Sequence, residues 1–272
     1  MTTDIRQFFK NIFSVKYVWA CVFPIQILGL LSIIYLLFFN TFDLWWLYTL
    51  VGYILIKEFG VAIGYHRVFA HNTFKPKRWA KIVFLLGGIL SGQGSPMMWA
   101  GIHRGKHHRY TDADGDPHSP KHGLFHSYFL WICKHGLDII SVKDIPRQLL
   151  RDSDVLFVHK NYVGLFYLLN LLCLLISFEL WLFGIILPSF LTFQVFNIQT
   201  SISHIKLFGY RNYTTKDNSY NNILLFPLVQ GEAWHNNHHG DAKNFNFGKR
   251  WWEIDPTYWI IKLFMLENKS TN

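Results

Sequence analysis

Histidine is concentrated in three short motifs of this 272-residue sequence, and side chains of this type can bind metal ions. The motifs are His66-Arg-Val-Phe-Ala-His71, His103-Arg-Gly-Lys-His107-His108 and His235-Asn-Asn-His238-His239, and His204 stands alone at the end of an apolar run. Imidazole is a ligand for zinc, copper, iron and nickel. Eight or nine imidazoles without paired cysteines do not fit a structural zinc site, which closes at four ligands. The number fits two metal ions with an open position for a substrate.

The spacing within each motif predicts which histidines share an ion. At about 100° per residue, His103 and His107 share one face of a helix. By the same rule, His235 shares a face with both His238 and His239. Adjacent histidines point about 100° apart, so they serve two neighbouring ions rather than chelating one. The two histidines of the first motif diverge by about 140° and could also address different ions.

The remaining histidines are expected to have ordinary roles. His122, His126, His135 and His159 are expected to be surface or hydrogen-bonded residues. His118 closes the stretch Asp114-Gly-Asp116-Pro-His118 and is expected in a loop, where it could support a ligand. By contrast, two His-His pairs that each follow another histidine by three or four residues rarely arise by chance.

Four apolar runs are long enough to cross a membrane as helices. They are residues 17–42, 44–65, 161–178 and 180–205. The first has no charged residue and would extend about 39 Å as a helix, more than the ~30 Å of a hydrocarbon core. The second is broken only by Lys57 and Glu58, and charges inside a span are usually functional. Very short turns join the four runs as two helical hairpins.

A fifth apolar stretch, residues 82–101, is rich in glycine and contains Pro96. Backbone groups freed by such residues need partners that lipid does not offer. The stretch is therefore predicted to be an interfacial or protein-buried helix followed by a loop. Residues 66–160 and 206–272 would then form a helical cap on the spans, and residues 251–264 predict an amphipathic helix at the interface. The whole chain, 1–272, is predicted to be one all-α membrane domain.

Composition and charge support a membrane protein. Hydrophobic residues make up 51%, aromatic residues 18% and charged residues only 16%, against about 25% charged in soluble domains. Lysine and arginine number three in residues 1–16, fourteen in 66–160 and eight in 206–272, with none in the short turns. This distribution predicts that both termini and the cap are cytoplasmic. Orientation thus explains the net charge of +9, and a nucleic-acid partner is not needed.

The histidine motifs resemble the three histidine boxes of the integral membrane fatty acid desaturases. They are most similar to those of the Δ9 desaturases, which include the stearoyl-CoA desaturases and their bacterial and cyanobacterial relatives. The similarity covers nearly the whole chain from about residue 20, including residues 94–99, 116–118, 208–211, 221–222, 231–235 and 251–255.

The resemblance implies four transmembrane helices under a cytosolic cap with a di-iron site. It implies nine iron ligands: His66, His71, His103, His107, His108, His204, His235, His238 and His239. It also implies a bent acyl tunnel and O2 as co-substrate. Electrons would come from a separate cytochrome b5-like or ferredoxin-type carrier. The membrane would be a bacterial inner membrane or the endoplasmic reticulum, and the oligomeric state is left open.

Three departures from the family pattern concern the site. Three residues separate His103 from His107, where Δ9 enzymes usually have two. Thr200 stands where an asparagine commonly holds a metal-bound water, and Asn197 lies about one turn earlier. The chain has Gly101-Ile102 where the animal acyl-CoA enzymes have Arg-Asp, so a contact to the CoA head group is lost.

Further residues are expected to support the ligands or the substrate. Carboxylates that orient metal-bound imidazoles are common, and the candidates here are Asp112, Asp114, Asp116 and Glu232. Trp99 and the loop before the second motif are candidates for the mouth of the acyl tunnel.

Removing hydrogen from an unactivated CH2 group is beyond any side-chain acid or base, so metal and O2 must supply that chemistry. The predicted function is an O2-dependent fatty acyl desaturase of lipid metabolism. It would place a cis double bond, at Δ9, in a saturated acyl-CoA or acyl-lipid. One alternative is a membrane di-iron hydroxylase, which adds an oxygen atom instead of removing two hydrogens. A second is a non-catalytic membrane protein that binds or transports metal.

Overall fold

A computed structural model describes residues 18–135, 139–207 and 209–266, and within these ranges the regular secondary structure is helical. Isolated backbone bridges, such as Tyr210 with Asn221, occur there but no strand does. In chain order the helices are α1 (Trp19–Phe38), α2 (Trp45–Ala70), α3 (Arg78–Leu90), α4 (96–110), α5 (126–135), α6 (Ser153–Ile176), α7 (Phe178–Ile202), α8 (Ile223–Ala233), α9 (His235–Gly240) and α10 (256–265). The prediction of an all-α fold is confirmed.

Four of these helices, α1, α2, α6 and α7, are long and apolar enough to cross a membrane. Their outward side chains are large and apolar, and Phe38 and Ile176 are 73% and 74% exposed. A contiguous apolar surface of this kind needs lipid around it.

The predicted spans have different limits in the structure, and the two largest differences are in the second and third spans. The second continues past residue 65 to Ala70, and the third begins at Ser153 instead of 161. The early start has a local cause, because the Asp152 carboxylate accepts from the backbone N–H groups of Asp154 and Val155 and caps the helix. An apolar run alone does not reveal such a polar first turn. The late end of α2 carries the first histidine motif out of the span.

Residues 82–101 form no span, as expected. α3 has 13 residues, fewer than the ~20 that a span requires. A turn follows, in which Gly92 and Gly94 have positive φ, and the Ser95 hydroxyl then caps α4 by accepting from the Met98 N–H.

Small residues let these helices approach each other closely. A Cβ atom added to Gly60 on α2 would lie 2.3 Å from the backbone carbon of Gly87 on α3. One added to Gly52 would lie 1.9 Å from the backbone oxygen of Gly184 on α7. Glycine is therefore required at both crossings, which is the usual way membrane helices achieve tight packing.

Buried charges tie α2 to the cap. Lys57 and Glu58 pair at 2.9 Å inside the protein, and Lys57 also donates to the Gln230 side chain. Arg67 is fully buried and lies 3.2 Å from Glu232 and 3.1 Å from Asp255. Paired in this way, the charges of the second span fix the register between helix and cap.

The C-terminal amphipathic helix is shorter than predicted. Trp251 and Trp252 lie in a turn, and α10 begins at Pro256 after an Asp255 side-chain cap. The helix buries Ile261 while Phe264 stays exposed, so it is amphipathic over its own length.

Candidate metal centre

All nine histidines of the predicted ligand set lie together in two groups. The five-histidine cluster contains His66, His71, His103, His108 and His238, and the four-histidine cluster contains His107, His204, His235 and His239. Within each cluster every residue offers a ring nitrogen, and these atoms lie within 4.8 Å of one another. The clusters are in contact, since the rings of His238 and His239, one in each cluster, are 5.6 Å apart.

Four segments of the fold deliver these side chains. The end of α2 carries the first motif, and α4 carries the second. His204 follows the last turn of α7, and α9 carries the third motif. The ends of α2 and α7 therefore meet the cap at a common place, although the histidines they bring are far apart in sequence.

Adjacent histidines are divided between the clusters, as the helical geometry predicted. The other pairings agree with the prediction only in part. His103 and His107 belong to different clusters, whereas His66 and His71 belong to the same one. In the third motif, His235 groups with His239 and not with His238.

The width of the helical turns explains the grouping in the first two motifs. The N–H of His71 donates to the carbonyl of His66 at 3.1 Å, and the N–H of His108 donates to that of His103. Both are five-residue turns, wider than those of an α-helix. Residues five apart are thereby brought toward one face, which the 100° rule does not anticipate.

The ring nitrogens fit two transition-metal ions. Nε2 of His71, His107 and His239 is buried without a hydrogen-bond partner among the described residues. Elsewhere Nε2 atoms face each other, at 2.9 Å for His204 and His235. Burial, reinforced by neighbouring histidines, lowers the pKa well below its ordinary value for His71, His103, His108, His235, His238 and His239. Neutral imidazoles with converging lone pairs are the form that binds metal.

Three of the four predicted carboxylates contact a histidine Nδ1. His66 donates to Glu232 at 2.6 Å, His107 to Asp116 at 3.0 Å, and His204 to Asp112 at 3.2 Å. Asp114, the fourth candidate, is exposed on its loop. An Nδ1–H held by a carboxylate leaves Nε2 free for a metal.

These carboxylates stay ionised in spite of their burial. Burial raises the pKa of Asp116, but its interactions with His107 and His118 outweigh burial and hold the pKa below its usual range. The hydrogen bond from His204 does the same for the pKa of Asp112. An ionised acceptor is the form that fixes the imidazole tautomer.

Sequence reasoning missed two residues with the same kind of contact. Asp217 accepts from Nδ1 of His239 at 3.1 Å, and the side-chain amide of Gln199 lies 2.8 Å from Nδ1 of His235. Gln199 had a detectable signal, because it is a polar residue near the end of an apolar run. Asp217 lies in a long polar loop, where nothing in the sequence distinguishes it.

An apolar cavity opens beside the five-histidine cluster. Its wall includes the three residues that the sequence proposed for substrate or water, Trp99, Asn197 and Thr200, together with His103. The rest of the wall is mainly apolar and includes Ile102, Trp131, Ile132, Phe193 and Phe196. A histidine of the candidate metal centre thus faces a space suited to a hydrocarbon chain.

Trp99 lies beside His103 in the wall of the cavity. Its ring lies 4.7 Å from that of His103, and its N–H donates to Gln93 at 3.2 Å. Asn197 uses its amide N–H to bond the Phe193 carbonyl at 2.7 Å. His118 also lines the cavity, and burial lowers its pKa to about 3.

Comparison of the sequence with known proteins identifies its family. The profile of the family described as fatty acid desaturase matches residues 40–271. The sn-1 stearoyl-lipid 9-desaturase of Anabaena variabilis is 31% identical, over 82% of this chain and 81% of the relative. Delta-9 acyl-lipid desaturase 2 of Arabidopsis thaliana is 32% identical, over 93% and 81%. The acyl-CoA C20 Delta5-desaturase of Anemone leveillei is also 32% identical, over 89% and 78%. The chain therefore belongs to the fatty acid desaturase family, whose members are di-iron oxidoreductases.

Proposed function

We propose that this membrane protein introduces a cis double bond at Δ9 into a saturated acyl chain of a membrane lipid, with two iron ions and O2. The observation that carries the proposal is the apolar cavity with His103 in its wall. The names of two relatives, a stearoyl-lipid 9-desaturase and an acyl-lipid Δ9 desaturase, support the position and the carrier. Gly101-Ile102, which lacks the charges of the acyl-CoA enzymes, supports a lipid-linked substrate as well.

The protein itself would hold the metal ions, orient their histidine ligands and keep water away from the acyl chain. Iron and O2, when bound, supply the oxidising power that removes two hydrogens from adjacent carbons. The two histidine clusters would hold one ion each, and the carboxylates on Nδ1 keep the ring tautomers fixed. The cavity wall binds the hydrocarbon by burial, at about 0.8 kcal/mol for each CH2. The ring of Trp99, which lines the cavity next to His103, would set which carbons lie beside this histidine.

The proposal also includes the orientation of the protein in the membrane. α1 with α2 and α6 with α7 form two hairpins, and the cap and both termini face the cytoplasm of a bacterial cell or the cytosolic side of the endoplasmic reticulum. In support, the clusters lie where the second and fourth long helices end, on a single side. Electrons come from a separate cytochrome b5-like or ferredoxin-type carrier on that side.

Expression in a desaturase-deficient host tests the proposed function. We expect new monounsaturated fatty acids with the double bond at carbon 9, found in membrane lipids before they appear in acyl-CoA. A hydroxylated product instead would identify a hydroxylase, and a Δ5 product would overturn the assigned position. Iron binding with no change in fatty acids, with an electron carrier supplied, would overturn the enzymatic role.

Filling the cavity should stop the reaction without loss of metal. In Thr200→Trp, the indole occupies the space beside Phe196 and displaces the acyl chain. We expect desaturation to fall at least about 10-fold, since several CH2 groups lose their burial. Iron per protein, measured by mass spectrometry, should stay at the wild-type value.

The control substitutes the same residue type away from the cavity. Thr41 is exposed in the turn between α1 and α2, and Thr41→Trp should leave both activity and iron unchanged because Trp is tolerated at membrane interfaces. If Thr200→Trp kept full activity, the acyl chain would have to reach the histidines by another route.

A further inference from the structure

The two histidine clusters differ in the charge that surrounds them. In the four-histidine cluster every Nδ1 has a protein partner, and three of these partners are the carboxylates Asp112, Asp116 and Asp217. The fourth partner is the amide of Gln199. In the described part of the five-histidine cluster, the carboxylate contact to a ring nitrogen is that of Glu232 with His66, and Nδ1 of His238 is buried without a partner.

Cations reduce the negative charge at the five-histidine cluster further. Arg67 lies 3.2 Å from Glu232 and 3.1 Å from Asp255, so its guanidinium offsets part of the charge of Glu232. Arg104 donates to the carbonyl of Ala70 at 3.0 Å, directly before His71. Near the four-histidine cluster, the cation in comparable contact is Lys121, which donates to the backbone carbonyl of Asp112 and is exposed to solvent. Solvent screens both Lys121 and the equally exposed Arg104, whereas Arg67 is fully buried.

Hydrogen bonds within its own loop orient the Asp217 carboxylate toward one histidine. Its Oδ1 accepts from the hydroxyls of Thr215 and Ser219 and from the Ser219 N–H. Its Oδ2 is left for His239. The next residue, Asn218, donates its N–H to Asp112 at 2.7 Å, so the same loop also fixes the carboxylate that holds His204. Two ligands of one cluster thus depend on a single loop, residues 215–219.

We propose that the two metal positions are unequal, that the four-histidine cluster binds its ion more tightly and fills first, and that Asp217 is one of the positioning residues behind this difference. The physical reason is that anions behind the imidazoles make them stronger donors and offset the charge of the ion. The proposal rests on the proposed di-iron function, because it concerns the same two positions.

Stepwise metal binding to the purified full-length protein tests this proposal. Metal is removed with a chelator, and Co²⁺ is then added while its visible absorption is recorded. We expect one tight equivalent followed by a weaker one, with different spectra because the ligand numbers differ. In Asp217→Asn, the affinity for the first equivalent should fall about 10–100-fold, while the second equivalent keeps its affinity and spectrum.

Two further variants separate positioning from folding. Asp114→Asn removes a carboxylate from a neighbouring exposed loop and should leave both equivalents unchanged. Asp112→Asn should also weaken the first equivalent, and it preserves the fold because asparagine tolerates the φ of 59° at this position.

The possible outcomes distinguish this inference from the proposed function. Binding of no Co²⁺ or of a single equivalent by the wild-type protein would overturn the two-metal site itself. Two equal equivalents, or loss of both in Asp217→Asn with the unfolding temperature of the metal-free protein unchanged, would overturn the inequality alone. Loss of the tighter equivalent in Glu232→Gln would assign it to the other cluster.

Discussion

Replacing His239 with alanine should abolish desaturation and remove about one of the two iron ions. His239 is one of only four histidines in its cluster, and the substitution leaves Asp217 without its imidazole partner. Removal of a residue that merely orients a ligand costs about 10–100-fold in metal affinity or activity, so loss of a ligand should cost at least about 100-fold. Fatty acid profiles from a desaturase-deficient host and iron content measured by mass spectrometry check this.

The iron count shows whether the effect is local. If the chain still folds, the five-histidine cluster should keep its ion, and iron per protein should fall to about half of the wild-type value. The matched control is His122→Ala, an exposed histidine of the same cap, which should retain full iron and activity. Normal desaturation by His239→Ala would remove this residue from the ligand set.

Much of this centre could be predicted from the sequence, because the ligands are dense in three motifs. The same nine histidines meet in the structure. The sorting between clusters could not be predicted, because it depends on five-residue turns at His71 and His108 instead of regular α-helical ones. Nothing in the order of residues shows that a helix is locally wider than usual.

Contacts made by loop residues could not be predicted from the sequence either. Asp112 and Asp116 were identified because they follow the second motif closely, and Glu232 because it precedes the third. Asp217 reaches His239 only because backbone bonds such as Tyr220 N–H to the Ser203 carbonyl, at 2.7 Å, fold its loop back onto the end of α7. Contacts of this kind follow from tertiary structure and not from spacing.

The number of helices long enough to span a membrane was predicted correctly, but some of their ends were not. Apolar composition identifies the segment that lipid must surround, since each span needs about 20 such residues. It does not identify where a helix continues into the protein interior, as α2 does from residue 65 to Ala70. The candidate metal centre begins in that continuation. There the charged side chain of Arg67 lies between Glu232 and Asp255, at a position where the span itself would have an apolar residue.

Gly60→Val should prevent the correct assembly of α2 with α3 and thereby the formation of the centre. A Cβ atom at this position would lie 2.3 Å from the carbon and 2.7 Å from the oxygen of Gly87, both backbone atoms that no rotamer change can move. Overpacking costs about 1–3 kcal/mol where side chains can adjust. We therefore expect at least about 3 kcal/mol here, and a Tm lower by roughly 6–12 °C.

Thermal unfolding in detergent and iron content measure the two consequences together. His66 lies farther along α2, and α4, which carries His103, follows directly after α3. Moving α2 away from α3 must therefore separate ligands of the five-histidine cluster, so iron should be lost even from protein that stays in solution.

The same change on a lipid-facing surface provides the control. Gly164 lies on the exposed side of α6, and a Cβ atom there would meet nothing within 4 Å. Gly164→Val should leave the Tm and iron content near the wild-type values, because valine is a better helix former than glycine and its side chain enters lipid. A Gly60→Val protein with unchanged Tm and full iron would show that α2 and α3 do not touch through their backbones. The centre would then need another explanation for how its first two motifs are held together.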